Sequence, residues 1–113
     1  MEEAADAESE SVLNQIKSQA ATGLVRITRH AHEEMVEEEI RIDEVLQAIQ
    51  RAEILEDYPE HRRGPCCLLN GFTSAGRPLH MVCTSARQVL VLITVYEPKR
   101  PKWVTPTQRS ERL

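Results

Sequence analysis

The sequence predicts a small α+β domain in which two or three N-terminal helices pack on a four-stranded, twisted antiparallel sheet. Two observations support this fold class. Between residues 29 and 52, apolar residues recur at helical spacing among many charged ones. Beyond Ala52 the pattern changes to alternation, and turns containing Gly and Pro divide this half of the chain into four runs. A chain of 113 residues is long enough for one such domain with one modest core.

The chain begins with an acidic segment. Glu, Asp, Ala and Ser dominate the first ten residues without an apolar pattern, so we predict a disordered acidic tail over residues 1–10. This tail merges into a helix that carries Val12, Leu13 and Ile16. Gly23 ends the helix, because glycine is favoured just beyond a helix C-terminus.

Two further helices are expected after a short extended segment or strand at residues 24–28. The first begins at Arg29, where Thr28 is a suitable N-cap, and it breaks near Ile40. Its apolar stripe is narrow, and glutamates occupy most of its remaining surface. The second covers residues 42–52, where Ile, Val and Ala repeat at helical spacing.

Four strands are predicted from the alternating runs and from the Gly and Pro residues between them. The last run has the highest β propensity and apolar residues on both faces, which is typical of a central strand. The runs cover residues 53–58, 65–72, 78–84 and 89–96.

The C-terminal segment is expected to leave the body of the protein. Three prolines between residues 98 and 106 prevent it from continuing a sheet interior, so we predict an extended segment and place the domain at 11–104 and a tail at 105–113. Trp103 either fills a groove on its own domain or stays exposed for a nucleobase or a partner protein.

The net charge of −4 conceals a strong asymmetry along the chain. Residues 1–57 carry 15 acidic and 5 basic side chains, whereas residues 58–113 carry 3 acidic and 9 basic ones. The basic half would attract anions such as RNA phosphates, unless the two halves neutralise each other within the molecule. No apolar run approaches the ~20 residues that span a bilayer, and the acidic start lacks the positive flank of a signal peptide. We therefore expect a cytoplasmic protein without membrane contact.

The three cysteines are odd in number and lack CxxC spacing, so they are predicted to be reduced, buried strand residues. Adjacent Cys66 and Cys67 point to opposite faces of a strand and do not jointly bind a metal. His30 and His32 also diverge on a helix, because residues two apart do not share a face. We expect neither a metal nor a cofactor.

Five motifs follow one another in a characteristic order along the chain: ITRHA (27–31), ILEDYP (54–59), RGP (63–65), GRPLH (76–80) and ITVYEP (93–98). Over about residues 26–104 this series resembles the bacterial domain-of-unknown-function family numbered 4258. Members of that family resemble the RelE-like and BrnT-like ribonuclease toxins, in which helices precede a strongly twisted antiparallel sheet. The resemblance implies an RNA substrate and an antitoxin protein as partner.

The chain departs from the family pattern at two positions. The family usually has arginine just before the methionine of its first motif and again shortly before the isoleucine at the helix break. Here those positions are Glu34 and Glu38. If the arginines bind phosphate in relatives, the substrate or the activity has changed in this chain.

The motifs contain the groups that metal-free RNA cleavage requires: a base, an acid and cations that stabilise the phosphorane. Histidine titrates near ~6.5, so one imidazole is suited to each proton transfer. Arginine binds phosphate in a bidentate manner, and hydroxyl groups donate to its oxygens. The predicted catalytic residues are His30, Arg63, His80, Thr94 and Tyr96, and the predicted RNA-binding residues are Arg62, Arg77, Lys99 and Trp103.

Each of these residues also has a structural interpretation. His30 is suited to capping or packing at its helix start, His80 to a hydrogen-bonded position within the sheet, and Thr94 and Tyr96 fit a strand by propensity alone. The functional expectation is a toxin-like RNA-binding protein or metal-independent ribonuclease. The alternative is a noncatalytic interaction module that docks a partner, or a second copy in a homo-oligomer, through a sheet edge and the Pro/Trp tail.

Overall fold

The chain folds into an α+β domain, which a computed structural model describes for residues 2–62, 64–86, 88–99 and 102–110, with residues 2–9 described as helical backbone. Three helices precede most of the strands, in agreement with the two or three that the sequence predicts. The elements in chain order are α1 (Glu2–Ala21), β1 (Val25–Ile27), α2 (Arg29–Glu37), α3 (Ile42–Gln50), β2 (Glu53–Tyr58), β3 (Cys66–Phe72), β4 (Pro78–Thr84), β5 (Leu90–Tyr96), β6 (Trp103–Thr105) and β7 (Gln108–Arg109).

The main sheet has five strands in the order β1-β5-β4-β3-β2. The four predicted strands form its antiparallel part, and β5 lies between two neighbours, as expected of a central strand. The prediction of a purely antiparallel four-stranded sheet is wrong in detail, because β1 pairs with β5 in parallel and makes the sheet mixed. A three-residue strand carries too short a pattern to reveal its partner or its direction.

One face of the sheet packs on the helices and forms the main core. Alternate residues of the strands point to this face, and each large apolar side chain buried there stabilises the fold by about 1.5–3 kcal/mol. Helix α3 approaches β3 closely at Gly71, where a Cβ atom would stand 2.1 Å from the carbonyl oxygen of Ala48. The principal core residues are Ile16, Ala31, Met35, Val45, Ile49, Cys67, Leu69, Leu79, Met81, Leu90 and Leu92.

Helix α1 begins earlier than the sequence analysis expects. Residues 2–10, predicted as an acidic tail, belong to its backbone, which is consistent with the high helix propensity of Ala and Glu. The predicted continuation through Val12 and Ile16 is present, and Ile16 is fully buried against the core. None of the helices in the described part of the chain combines the length and apolar character needed to cross a membrane.

The C-terminal segment folds back onto the other face of the sheet. Strands β6 and β7 pair as a short antiparallel hairpin, which we call the C-terminal hairpin (residues 103–109). The prediction of an extended tail that leaves the body is therefore wrong, because Trp103 is buried to 2% exposure and fastens the segment to the domain. The predicted boundary between residues 104 and 105 falls inside this hairpin.

Candidate functional site

A cleft of about 540 Å³ lies between α2 and the C-terminal end of β5. We call it the α2–β5 cleft. It contains both acidic and basic side chains together with hydroxyl groups, all drawn from distant parts of the sequence. The lining residues are His30, Glu34, Glu38, Thr94, Tyr96, Glu97, Lys99, Lys102 and Trp103.

The first turn of α2 is fixed to β5 by Thr28. As predicted, this residue is the N-cap: its Oγ1 accepts from the backbone N–H of Ala31 at 3.1 Å. The same hydroxyl donates to the carbonyl oxygen of Ile93 at 3.0 Å, so the cap is also a tie to the sheet. His30 follows within this turn and keeps 66% of its side chain exposed at the cleft, with Nε2 3.4 Å from Oε1 of Glu34.

Two glutamates of α2 complete the hydrogen bonding of β5. Strand β1 pairs with β5 only as far as Leu92, which leaves the following edge without a neighbouring strand. Glu34 accepts from the N–H of Val95 at 2.9 Å, and Glu38 accepts from the N–H of Glu97 at 3.0 Å. A buried or half-buried backbone donor is costly to leave unpaired, so these carboxylates hold α2 beside the strand.

Glu34 is the carboxylate whose ionisation the cleft perturbs. Burial raises its pKa, and the hydrogen bond from Val95 together with nearby His30 lowers it in part. The imidazole of His30 therefore faces a carboxylate that is both oriented by the strand and partly withdrawn from water.

Tyr96 connects the cleft to a buried histidine. His80 is fully buried beneath it, and its Nε2 lies 2.6 Å from the carbonyl oxygen of Pro106. Because a carbonyl oxygen only accepts, Nε2 carries the proton, and Nδ1 accepts from the hydroxyl of Tyr96 at 3.1 Å. Burial lowers the pKa of His80 and raises the pKa of Tyr96, so both stay neutral at neutral pH.

The C-terminal hairpin covers His80 and closes one side of the cleft. The ring of Trp103 meets the His80 ring edge-on at 4.4 Å between centroids. Arg109 places its guanidinium 4.5 Å from the centroid of Trp103 and donates to both carboxylate oxygens of Glu56, at 2.6 and 2.7 Å. The hydroxyl of Tyr58 also donates to Glu56, so this carboxylate joins β2 to the hairpin.

The structure brings together five of the nine predicted site residues. His30, Thr94, Tyr96, Lys99 and Trp103 all line the α2–β5 cleft. Of the two possibilities that the sequence left open for Trp103, the structure shows the first: the side chain is buried in its own domain. Its buried ring therefore offers little surface for stacking on a base.

Three other predicted residues lie elsewhere among the described residues. His80 is behind Tyr96 and does not line the cleft, because the hairpin covers it. Arg77 pairs with Glu97 at 2.8 Å and donates to the backbone carbonyl oxygens of Glu38 and Glu39, just after α2. Its guanidinium therefore joins the end of α2 to the end of β5. Arg62 is exposed in the loop between β2 and β3, away from the cleft. Arg63, the remaining predicted catalytic residue, lies outside the described residues.

Sequence reasoning missed four lining residues: Glu34, Glu38, Glu97 and Lys102. A signal for the first two was present, since His30, Glu34 and Glu38 are spaced by four residues and therefore share one face of α2. The charge asymmetry is also partly neutralised within the molecule. Arg109 from the basic half pairs with Glu56 from the acidic half.

Among residues 2–62, 64–86, 88–99 and 102–110, no three His, Cys, Asp or Glu side chains are grouped so that they could hold a metal ion.

The fold and the cleft define a small α+β domain that carries one mixed-charge site at the edge of its sheet. A family model described as "Domain of unknown function (DUF4258)" matches residues 27–97, which include α2, α3 and the strands β2 to β5. The chain belongs to this family. Helix α1 and the C-terminal hairpin lie outside the matched residues. No curated protein and no solved structure matches the chain.

Proposed function

We propose that this protein is a toxin-like endoribonuclease that binds RNA in the α2–β5 cleft and cleaves it without a metal ion. The observation that supports the proposal most strongly is the convergence of His30, Tyr96 and two lysines from separate segments on one solvent-accessible cleft. An imidazole, a phenol and ammonium groups together supply proton transfer and phosphate binding.

His30 is the proposed general base. It is exposed to the cleft and lies within reach of an incoming ribose 2′-hydroxyl, whose proton its neutral imidazole takes. Glu34 positions the ring at 3.4 Å and stabilises the imidazolium that forms. The same carboxylate is fixed by Val95 of the sheet, so the base is held by the fold rather than by a loop.

Tyr96 is the proposed proton donor to the leaving 5′-oxygen. Its hydroxyl stays protonated because burial raises the pKa of Tyr96. To donate this proton to the RNA, the hydroxyl rotates from Nδ1 of His80 towards the leaving oxygen. The 2′-oxygen attacks phosphorus, the bond to the 5′-oxygen breaks, and the products are a 2′,3′-cyclic phosphate and a free 5′-hydroxyl. Thr94 supplies a further hydroxyl in the cleft.

Lys99 and Lys102 are the proposed phosphate-binding cations. Both are exposed and border the cleft, whereas the predicted arginines at positions 62 and 77 do not. Two acidic residues of the cleft already interact with other groups of the protein. Glu97 is paired with Arg77, and Glu38 accepts from a backbone N–H. Arg77 offsets the charge of Glu97, whereas Glu34 and Glu38 remain acidic groups beside the two lysines.

Cleavage of an end-labelled RNA in the presence of a chelator tests the proposal. His30→Ala should lower the rate about 10²–10⁴-fold, the usual contribution of a general base. His32→Ala is the matched control, because His32 is exposed on the same helix but does not line the cleft. Equal losses in both variants, or an unchanged rate in His30→Ala, would contradict the assignment.

A binding assay separates RNA recognition from catalysis. Fluorescence anisotropy with the same RNA should show weaker binding for Lys99→Ala and a smaller dependence of affinity on salt, because one phosphate contact is lost. A protein that binds RNA but leaves it intact would keep the binding role and end the catalytic one. A protein that does neither would end the whole proposal.

An antitoxin protein is the proposed partner, and it would neutralise the activity by covering the cleft. Induced expression of the chain should slow bacterial growth, and the His30→Ala variant should not. The noncatalytic module has less support. Trp103 is buried rather than offered to a partner, and the β2 edge carries exposed Glu53 and Asp57 together with a bulge, features that discourage strand addition.

A further inference from the structure

A second cavity, of about 490 Å³, is lined by α1 and by residues at the ends of β2, β3 and β4, and it shares no lining residue with the α2–β5 cleft. We call it the α1 cavity. It is bordered by the helix and by the ends of the strands beneath it, and it contains every thiol of the protein. Its lining includes Val12, Gln15, Ile16, Cys66, Cys67 and Cys83.

Two of these cysteines are direct partners across neighbouring strands. Cys67 of β3 and Cys83 of β4 occupy paired positions in the antiparallel register. Such pairs have Cα atoms about 4.5–5.5 Å apart, which lies within the range of about 4.4–6.8 Å that a disulfide spans. The two thiols are free and hydrogen-bonded to each other. The strand pairing therefore already places the two residues at a distance suitable for a disulfide bond.

Cys66 is placed differently, although it follows directly in the chain. Its side chain belongs to the smaller apolar cluster with Val91 and Ile93 rather than to the main core, although it also lines the α1 cavity. Its Sγ donates to the carbonyl oxygen of Gly64 at 3.1 Å. Cys66 is therefore a third thiol close to the Cys67–Cys83 pair but not part of it.

We propose that Cys67 and Cys83 form a redox-active dithiol that hydrogen peroxide entering the α1 cavity oxidises to an intramolecular disulfide. The two-residue site lies outside the α2–β5 cleft and is independent of the proposed ribonuclease activity. Peroxide is close to water in size and uncharged, so a cavity of this volume, lined by apolar, thiol and polar groups that include Asp57 and Gln15, admits it.

The two thiols have distinct roles in this reaction. The S–H of Cys83 donates to Cys67, which lowers the pKa of the Cys67 thiol, while the same contact and burial raise the pKa of Cys83. Cys67 is therefore the thiolate that attacks. It forms a bond to one peroxide oxygen, the O–O bond breaks, and the departing oxygen takes up a proton and leaves as water. The sulfur of Cys83 then displaces the hydroxyl of the Cys67 sulfenic acid as a second water.

The balance is two thiols and one hydrogen peroxide giving one disulfide and two waters. Peroxide is the electron acceptor, and both sulfurs are oxidised. A thiol reductant reverses the modification, which distinguishes it from the irreversible higher oxidation states of cysteine.

The Cys66→Ser variant provides a clean test, because it leaves only the two proposed partners. The folded variant, verified by circular dichroism, is treated with hydrogen peroxide and its intact mass is measured before and after alkylation. The expected result is loss of two hydrogen atoms and of both alkylatable thiols, with recovery on adding dithiothreitol. Retention of both thiols at peroxide concentrations that oxidise an unfolded control would overturn the proposal.

Single-cysteine removals test the order of the two steps. Cys66→Ser/Cys83→Ser should gain one oxygen at Cys67, trapped by a sulfenic-acid reagent, and Cys66→Ser/Cys67→Ser should react at least tenfold more slowly. Equal reactivity of the two would overturn the assigned roles. If either variant does not fold, peptide mapping of the oxidised wild type still decides between a Cys67–Cys83 bond and one that includes Cys66, and the latter result refutes the site.

Discussion

Glu56 should make the protein's stability depend on pH in the acidic range, through its contacts with the C-terminal hairpin. The bonds from Arg109 and Tyr58 lower the pKa of Glu56 from 4.5 to about 2, with the Arg109 bond the larger cause. Because the folded-state pKa lies below the unfolded value, this stabilisation is fully present above about pH 4.5 and is lost as the pH falls towards about 2.

The size of the effect follows from the shift and from the exposure of the pair. A difference between 4.5 and about 2 corresponds at full strength to about 3 kcal/mol. The Glu56 and Arg109 side chains remain 28% and 34% exposed, so water screens them and reduces this value. We therefore expect Glu56→Gln to lower the free energy of unfolding by about 1–2 kcal/mol at neutral pH and by much less near pH 2.

Urea unfolding at a series of pH values measures this difference. Trp103, the only tryptophan of the chain, reports directly on the hairpin, because its ring lies under Arg109. Far-UV circular dichroism reports on the remainder of the domain. Glu53→Gln is the matched control, since Glu53 is exposed on the same strand. If Glu56→Gln kept the wild-type pH dependence between about 4.5 and 2, the hairpin would not depend on this carboxylate and the reasoning would be refuted.

Three further substitutions test the backbone geometry, each by its urea midpoint. Glu39 follows the C-cap of α2 and has a φ of 55°, in the left-handed region. Glu39→Gly should therefore stabilise the fold by about 0.5–1 kcal/mol, whereas Glu37→Gly, at the last helical residue, should destabilise it. Changes of the same sign in both variants would contradict this reasoning. Gly71→Ala should cost more than about 3 kcal/mol, because its Cβ would stand 2.1 Å from the Ala48 carbonyl oxygen, and a cost below about 1 kcal/mol would show that α3 shifts freely. Thr28→Ala should cost about 1–2 kcal/mol by removing both the cap and the tie to β5, while Thr28→Ser should retain most of the stability.

Local sequence patterns were sufficient for most of the secondary structure. The strands Glu53–Tyr58 and Pro78–Thr84 have the predicted bounds, and the helix starting at Arg29 has the predicted cap. In each case the information lies within a few residues: the period of the apolar side chains, a proline or glycine at the boundary, or a hydroxyl before the first turn. The parallel partner of β1 could not be predicted, because pairing between Val25 and Leu90 depends on residues far apart in the chain.

The candidate site was predictable only in part, for the same reason. His30, Thr94 and Tyr96 lie in motifs that suggested chemistry, and they do meet at one cleft. His80 lies in an equally suggestive motif, but the C-terminal hairpin covers it and bonds its Nε2 to Pro106. Nothing within the neighbourhood of residue 80 indicates that a segment more than twenty residues later will seal it.

By itself the sequence determined the α+β class, the positions of α2, α3 and four strands, the reduced state and burial of the cysteines, and the family to which the chain belongs. The tertiary structure alone decided that β1 joins in parallel, that Trp103 turns inward, and that two glutamates of α2 complete the edge of β5. The physical reason is that propensity and periodicity act over a few residues, whereas the burial of a side chain and the pairing of a backbone N–H depend on which distant segment arrives beside it.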